Sequence, residues 1–200
     1  MKINGVFESS KVFYIILREI EQEVRKVKAL VVVDLQRDFV DPGGALYFEG
    51  AEKVVDYIVD LVEEFKSRDL PIITTQDWHD ENDREFQVWP KHCVAGSEGA
   101  RLTEKLEKAL EGYEKHYSIK KTRFSAFYNT DFDELIKELG IDEFEVVGVV
   151  TNICVLFTVE EMRNRDIPVK VHEKGVTSYD EELHKFAIRQ MKEVLGVEMV

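Results

Sequence analysis

The chain has 200 residues, 44% of them hydrophobic and 34% charged, with a net charge of -13, which is the make-up of one soluble globular domain able to bury a core without staples. The negative balance is spread along the chain, so nucleic acid is excluded as a partner. Two cysteines exclude a disulfide framework and fit a reducing, cytoplasmic setting, and no apolar run is long enough to span a membrane or to act as an export signal.

Residues 1–27 carry a loose helical pattern (Phe13, Ile16, Leu17, Ile20, Val24) and read as an amino-terminal extension, a helical arm or a poorly ordered lead, ahead of a domain over 28–200. KALVVVDLQRDF (28–39) predicts a buried strand ending in polar residues, after which PGG forces a turn. From Gly50 to Arg68 the apolar positions Val54, Val55, Ile58, Leu61, Val62 and Phe65 recur at helical spacing. LPIITTQDWH (70–79) is a second strand, RLTEKLEKAL (101–110) a short helix, YSIKKTRF (117–124) a third strand, and a helix follows near 131–139. FEVVGVV (144–150) is a fourth strand, with a helix over 152–164. IPVKVHE (167–173) is a fifth, a helix covers 180–195, and VEMV closes the chain as a last strand. This alternation defines an α/β domain with a mainly parallel sheet covered on both faces, and such sheets bind ligands at the carboxyl ends of their strands.

Polar residues then fall at strand ends on one rim: Asp34 after the first strand, Asp77 and His79 after the second, Lys121 near the third and Cys154 after the fourth. Singly, each has a plain reading as a loop residue, a solvated charge or a packed thiol. In the first turn of a helix, Cys154 meets the positive end of the macrodipole and unpaired N–H groups. Both favour thiolate, and the N–H groups suit the oxyanion of an acyl intermediate. A carboxylate to take the thiol proton and a lysine to hold both charges would complete a nucleophile. In an extended segment Asp77 and His79 point to the same side and can grip one ion together, with His92 as a third ligand. Such mixed ligation suits a divalent zinc, iron or manganese; the other reading is that Asp77 and His79 cap a turn and His92 is a surface residue. Cys93 reads as a packed thiol, and His116, His172 and His184 fall outside these signals.

Taken in order, VVVDLQRDF, TQDWH, WPKHCVAGSEGA, KTRFSAF and GVVTNICV resemble the isochorismatase-like cysteine hydrolases, and among them the nicotinamidases, over residues 28–200. The resemblance implies a three-layer α/β/α sandwich around a six-stranded parallel sheet. It implies Asp34 as general base, Lys121 as the lysine and Cys154 as the nucleophile, with the backbone amides of Val150 and Cys154 as oxyanion hole behind a cis Val149-Val150 peptide. It implies Asp77, His79 and His92 as ligands of a divalent metal ion, zinc first and iron or manganese as alternatives, with Glu85 or water completing the shell. Phe39 and Trp89 would flank the ring of a small amide substrate, and the assembly would be a homo-oligomer. The implied reaction is nicotinamide and water to nicotinate and ammonia. The alternatives are a ureidoacrylate or N-carbamoyl amidohydrolase, which use the triad without the metal, and a non-catalytic binding protein of this fold.

Overall fold

The computed structural model describes residues 26–200; the helical pattern at Phe13 to Val24 lies outside the described residues. Six strands, β1 (Val27–Val33), β2 (Ile72–Asp77), β3 (His116–Lys121), β4 (Ile141–Val149), β5 (Val169–Thr177) and β6 (Glu198–Met199), form one sheet in the order β3-β2-β1-β4-β5-β6. Every neighbouring pair is parallel.

β1 reads VKALVVV, a run that would be wasteful on a half-exposed strand but fits one buried on both sides. Leu30 and Val32 face one layer, with helices α1 (Val55–Ser67) and α2 (Glu104–Leu110). Ala29, Val31 and Val33 face the other, with α3 (Phe132–Leu139), α4 (Leu156–Asn164) and the stretch that follows α5 (Glu181–Arg189). α1 shows why the pattern folds this way. Its buried positions Val55, Ile58, Leu61, Val62 and Phe65 make one stripe along the helix, and each large apolar side chain fully removed from water contributes roughly 1.5–3 kcal/mol. α3 ends where Gly140 turns left-handed (φ 62) and returns its N–H to the carbonyls of Ile136 and Lys137. No helix among the described residues is long and apolar enough to cross a membrane.

The chain first winds outward from β1 to β2 and β3, then comes back to place β4 against the other side of β1. That reversal opens a crevice above the carboxyl ends of β1 and β4. The two strands lie close beneath it. Gly148 has φ 121, and a β-carbon there would fall 2.1 Å from the Val33 carbonyl oxygen, so the residue must be glycine.

Several boundaries differ from the reading of the sequence. β1 stops at Val33; Asp34 turns the chain at φ 48 and Arg37–Val40 forms a helical turn. The cause is Gln36, whose side-chain amide donates to the carbonyls of Asp77 (2.9 Å) and Ala100 (2.8 Å) and accepts from the Asp77 N–H (2.8 Å), pulling the chain off the strand line. β4 starts three residues earlier than expected, at Ile141, and β5 runs on to Thr177, past a register shift opposite Val146 and Gly148. The stretch before α4 is a π-type turn, Thr151–Val155, and not the first turn of an α-helix.

Candidate active site

β1, β2, β3 and β4 each deliver one side chain to the crevice, and three of the four are charged groups with almost no exposure: Asp34 (0%), Lys121 (1%) and Asp77 (3%). Lys121 reaches inward from the end of β3. Its Nζ stands 2.7 Å from Asp34 Oδ2, 2.5 Å from Asp77 Oδ1 and 3.6 Å from the Cys154 sulfur. The contact with Asp34 has ion-pair distance but not hydrogen-bond direction, so Asp34 Oδ2 keeps a lone pair for another proton. Its other oxygen accepts a 2.6 Å hydrogen bond from the Thr75 hydroxyl, and the Thr75 oxygen in turn accepts from the Asp34 N–H at 3.2 Å. Thus Asp34, Lys121 and Cys154 converge, as the order of the motifs implied.

Burial dominates the charge balance. It raises Asp34 above the ordinary carboxylate range, and Lys121 offsets this only in part. Burial would also raise Asp77, but Lys121 and the two facing imidazoles hold that carboxylate well below its usual range. Lys121 loses solvation too, yet Asp34, Asp77 and Cys154 push it well above an ordinary lysine, so it stays charged. For Cys154 burial is again the largest effect, followed by Lys121 acting in the opposite sense and by the two carboxylates; the thiol is pushed well up. The sulfur sits in a π-type turn, not in the first turn of an α-helix, against two acidic groups.

Beside this group, Asp77, His79, Glu85 and His92 turn one donor atom each toward a common centre, all within 4.8 Å of one another. His79 Nε2 and His92 Nε2 each stand 3.8 Å from Asp77 Oδ2 and 3.9 Å from Glu85 Oε1. A tetrahedral shell with ~2.1 Å bonds has edges of roughly 3.4 Å, so the spacing is slightly wide for a zinc-like ion but of the right kind. Both rings are oriented from behind. His79 Nδ1 lies 3.2 Å from Asp83 Oδ2, and His92 Nδ1 lies 2.7 Å from the Pro90 carbonyl oxygen, which leaves each Nε2 lone pair pointing inward. His79 Nε2 is fully buried and has no hydrogen-bond partner, a costly state unless a cation takes the lone pair. Burial and the neighbouring Asp77 raise Glu85, and a cation at the centre would offset both. The four residues therefore fit a divalent ion, and Glu85 stands with the other three.

Both groups open into one cavity of about 250 Å³, lined on the polar side by Asp77, Glu85, His92 and Cys154 and elsewhere by apolar and aromatic residues. That volume suits one substituted ring and not a dinucleotide. Phe39 and Trp89 line it, as the resemblance implied, and so do Val150 and the cis Val149-Val150 peptide. Cys93 is a packed thiol: its sulfur is 3.8 Å from the Gly99 carbonyl oxygen, and burial pushes it up.

Sequence reasoning passed over Thr75, Asp83, Phe48, Phe124 and Tyr179. Thr75 shares a face of β2 with Asp77, two residues on; Asp83 follows His79 by four. Phe124 lay inside the quoted KTRFSAF. Phe48 and Tyr179 come from connecting loops and leave no periodic signal.

An isochorismatase domain model matches residues 28–199. Among curated relatives, an uncharacterized isochorismatase family protein of Bacillus subtilis is 34% identical over 86% of this chain and 98% of its own. The nicotinamidase of Escherichia coli is 34% identical over 66% and 74%, and a probable inactive nicotinamidase of Arabidopsis thaliana is 28% identical over 83% and 88%. Of solved structures, the nicotinamidase/pyrazinamidase PncA from Bacillus subtilis superposes with a TM-score of 0.83 at 30% identity, covering 87% of this chain and 99% of that one. The pyrazinamidase of Pyrococcus horikoshii in complex with zinc gives 0.79 at 30% identity, covering 86% and 98%. The chain belongs to the isochorismatase family. Within that family it is an enzyme of the amidohydrolase kind.

Proposed function

We propose that this enzyme hydrolyses nicotinamide to nicotinate and ammonia through a thioester on Cys154, with a divalent ion, zinc first, held by Asp77, His79, His92 and Glu85. The observation that carries this reading is that one ring-sized cavity is lined both by the Cys154 thiol and by members of the inward-turned donor set. A ring bearing both a basic nitrogen and a carboxamide is the kind of molecule that uses the two together. When bound, the ion supplies a Lewis-acidic seat for the ring nitrogen.

Phe39 and Trp89 hold the ring so that the carboxamide carbon meets the sulfur. Asp34 takes the thiol proton as the S–C bond forms. Asp34 Oδ2 has no hydrogen-bond partner and so can receive that proton, and burial makes the carboxylate more basic than an ordinary one. Lys121 stays charged throughout and holds Asp34 and the sulfur in register. The carboxamide oxygen takes up the negative charge and is received by the backbone amides of Val150 and Cys154. Asp34 then gives its proton to the nitrogen, the C–N bond breaks, ammonia leaves and the thioester remains. A water that passes a proton to Asp34 attacks the thioester, the S–C bond breaks, and the thiol regains that proton.

The nicotinamidases among the relatives and the zinc in the Pyrococcus horikoshii structure support this reading. The complete donor ring favours it over the carbamoyl amidohydrolases, which generally lack the metal. The test is ammonia release over a panel of small amides with and without chelator, for the wild type and Cys154→Ala. Expected are loss of turnover on chelation, and loss of turnover in Cys154→Ala with metal content intact. Near-normal activity in Cys154→Ala would sink the thioester route. Chelator-indifferent hydrolysis of a carbamoyl compound would move the substrate to that class, and no ammonia from any amide would leave a binding protein.

A further inference from the structure

Phe48, in the loop after β1, and Tyr179, in the connection from β5 to α5, form a part of the cavity wall to which the mechanism gives no role. Their rings meet edge to face, centroids 6.4 Å apart at 75°, and Tyr179 is 50% exposed, which puts the pair at the mouth. A half-exposed aromatic ring is ordinary by itself; what sets Tyr179 apart is that it lines the cavity beside Phe48. The chain on either side of Tyr179 is also tied down. The Ser178 hydroxyl donates to Asn152 Oδ1 at 2.6 Å, and His184 Nδ1 is 3.0 Å from Thr151 Oγ1. Asp180 caps α5 by accepting from the Leu183 N–H at 2.9 Å. Thr151 and Asn152 lead directly into Cys154, so the connection that carries Tyr179 is fastened at Ser178, and the helix after it at His184, to the turn that carries the sulfur.

We propose that Tyr179 is a specificity-setting residue: with Phe48 it closes the outer end of the cavity and limits the substrate to a single small ring. This rests on the nicotinamide reading for its choice of ligand. With the ring nitrogen at the donor set and the carboxamide at Cys154, the ring carbon meta to both points away from the chemistry and toward the mouth. Bulk at that carbon meets Tyr179, and because the loop is fastened to the nucleophile turn the ring cannot drift aside without moving the sulfur.

The experiment compares nicotinamide with 5-phenylnicotinamide on the metal-loaded wild type, Tyr179→Ala and Tyr179→Phe, by equilibrium binding and by ammonia release. Tyr179→Ala should shift the ratio of the two dissociation constants about tenfold toward the bulky amide, and Tyr179→Phe, which keeps the ring, should stay within about twofold of the wild type. An unchanged ratio in Tyr179→Ala overturns the proposal, as does a wild type that binds neither compound. Because binding is read apart from turnover, a wild type that binds nicotinamide but releases no ammonia sinks the amidohydrolase reading while the binding ratio still decides the role of Tyr179.

Discussion

Lys121 Nζ stands 2.5 Å from Asp77 Oδ1, while the other Asp77 oxygen faces His79 and His92 at 3.8 Å. One carboxylate thus joins Lys121, with Asp34 and Cys154, to the inward-turned His79, Glu85 and His92 beside it. The two groups are electrostatically one site: a change at Lys121 alters what the donors can hold, and a change at the donors alters what Lys121 must neutralise.

Lys121→Met should expose this coupling as lost stability. It leaves Asp34 and Asp77 buried without their shared cation, and breaking a buried pair from one side costs about 3–5 kcal/mol. Urea unfolding of the two proteins is the measurement. A loss within the roughly 0–1 kcal/mol of a surface pair would show that the lysine is not needed to hold the carboxylates.

The acid limb of kcat/KM should belong to Asp34. Its folded-state value is raised above the ordinary 3.8, with burial the main cause and the Thr75 hydroxyl acting to lower it. The base form is needed, so activity falls as pH drops through the raised value, and the limb lies above pH 3.8. Thr75→Val removes a bond that favours the charged form, which moves the limb to still higher pH. A pH–rate profile of wild type and variant checks both position and sign; a limb that moves down or stays in place assigns it to another group.

Asp83→Ala should weaken metal retention without touching a donor atom. Asp83 orients His79 through Nδ1 and is itself held by Arg123 at 3.0 and 3.1 Å. Loss of such a supporting carboxylate typically costs about 10–100-fold in metal affinity. Competition against a metal buffer measures it, and unaltered affinity would remove Asp83 from the site.

How far the sequence could be read follows from the range of each signal. The β1 run and the α1 stripe are local patterns, so the strands and helices of the sheet were legible to within a few residues. Where the chain leaves a pattern under the pull of a distant side chain, as Gln36 does in ending β1 through Asp77 and Ala100, the boundary was misplaced. Asp34, Lys121 and Cys154 were legible because each lies at or just beyond the carboxyl end of a strand, on the rim where parallel sheets gather their chemistry. Tyr179 and Asp83 sit in connections, and only the tertiary fold brings them to the cavity and to His79.

From the order of residues alone came the layered architecture, the rim that carries the chemistry and the kinds of group found there, because periodicity and strand-end position are properties of neighbours along the chain. Tertiary structure alone decided the direction in which burial shifts the sulfur, the turning of Glu85 toward the centre it shares with Asp77, His79 and His92, and the place of Tyr179 on the cavity wall. Those depend on how much water is removed from a point and on which charges arrive there from remote segments: burial of Cys154 beside two carboxylates pushes its thiol up, against the pull of Lys121.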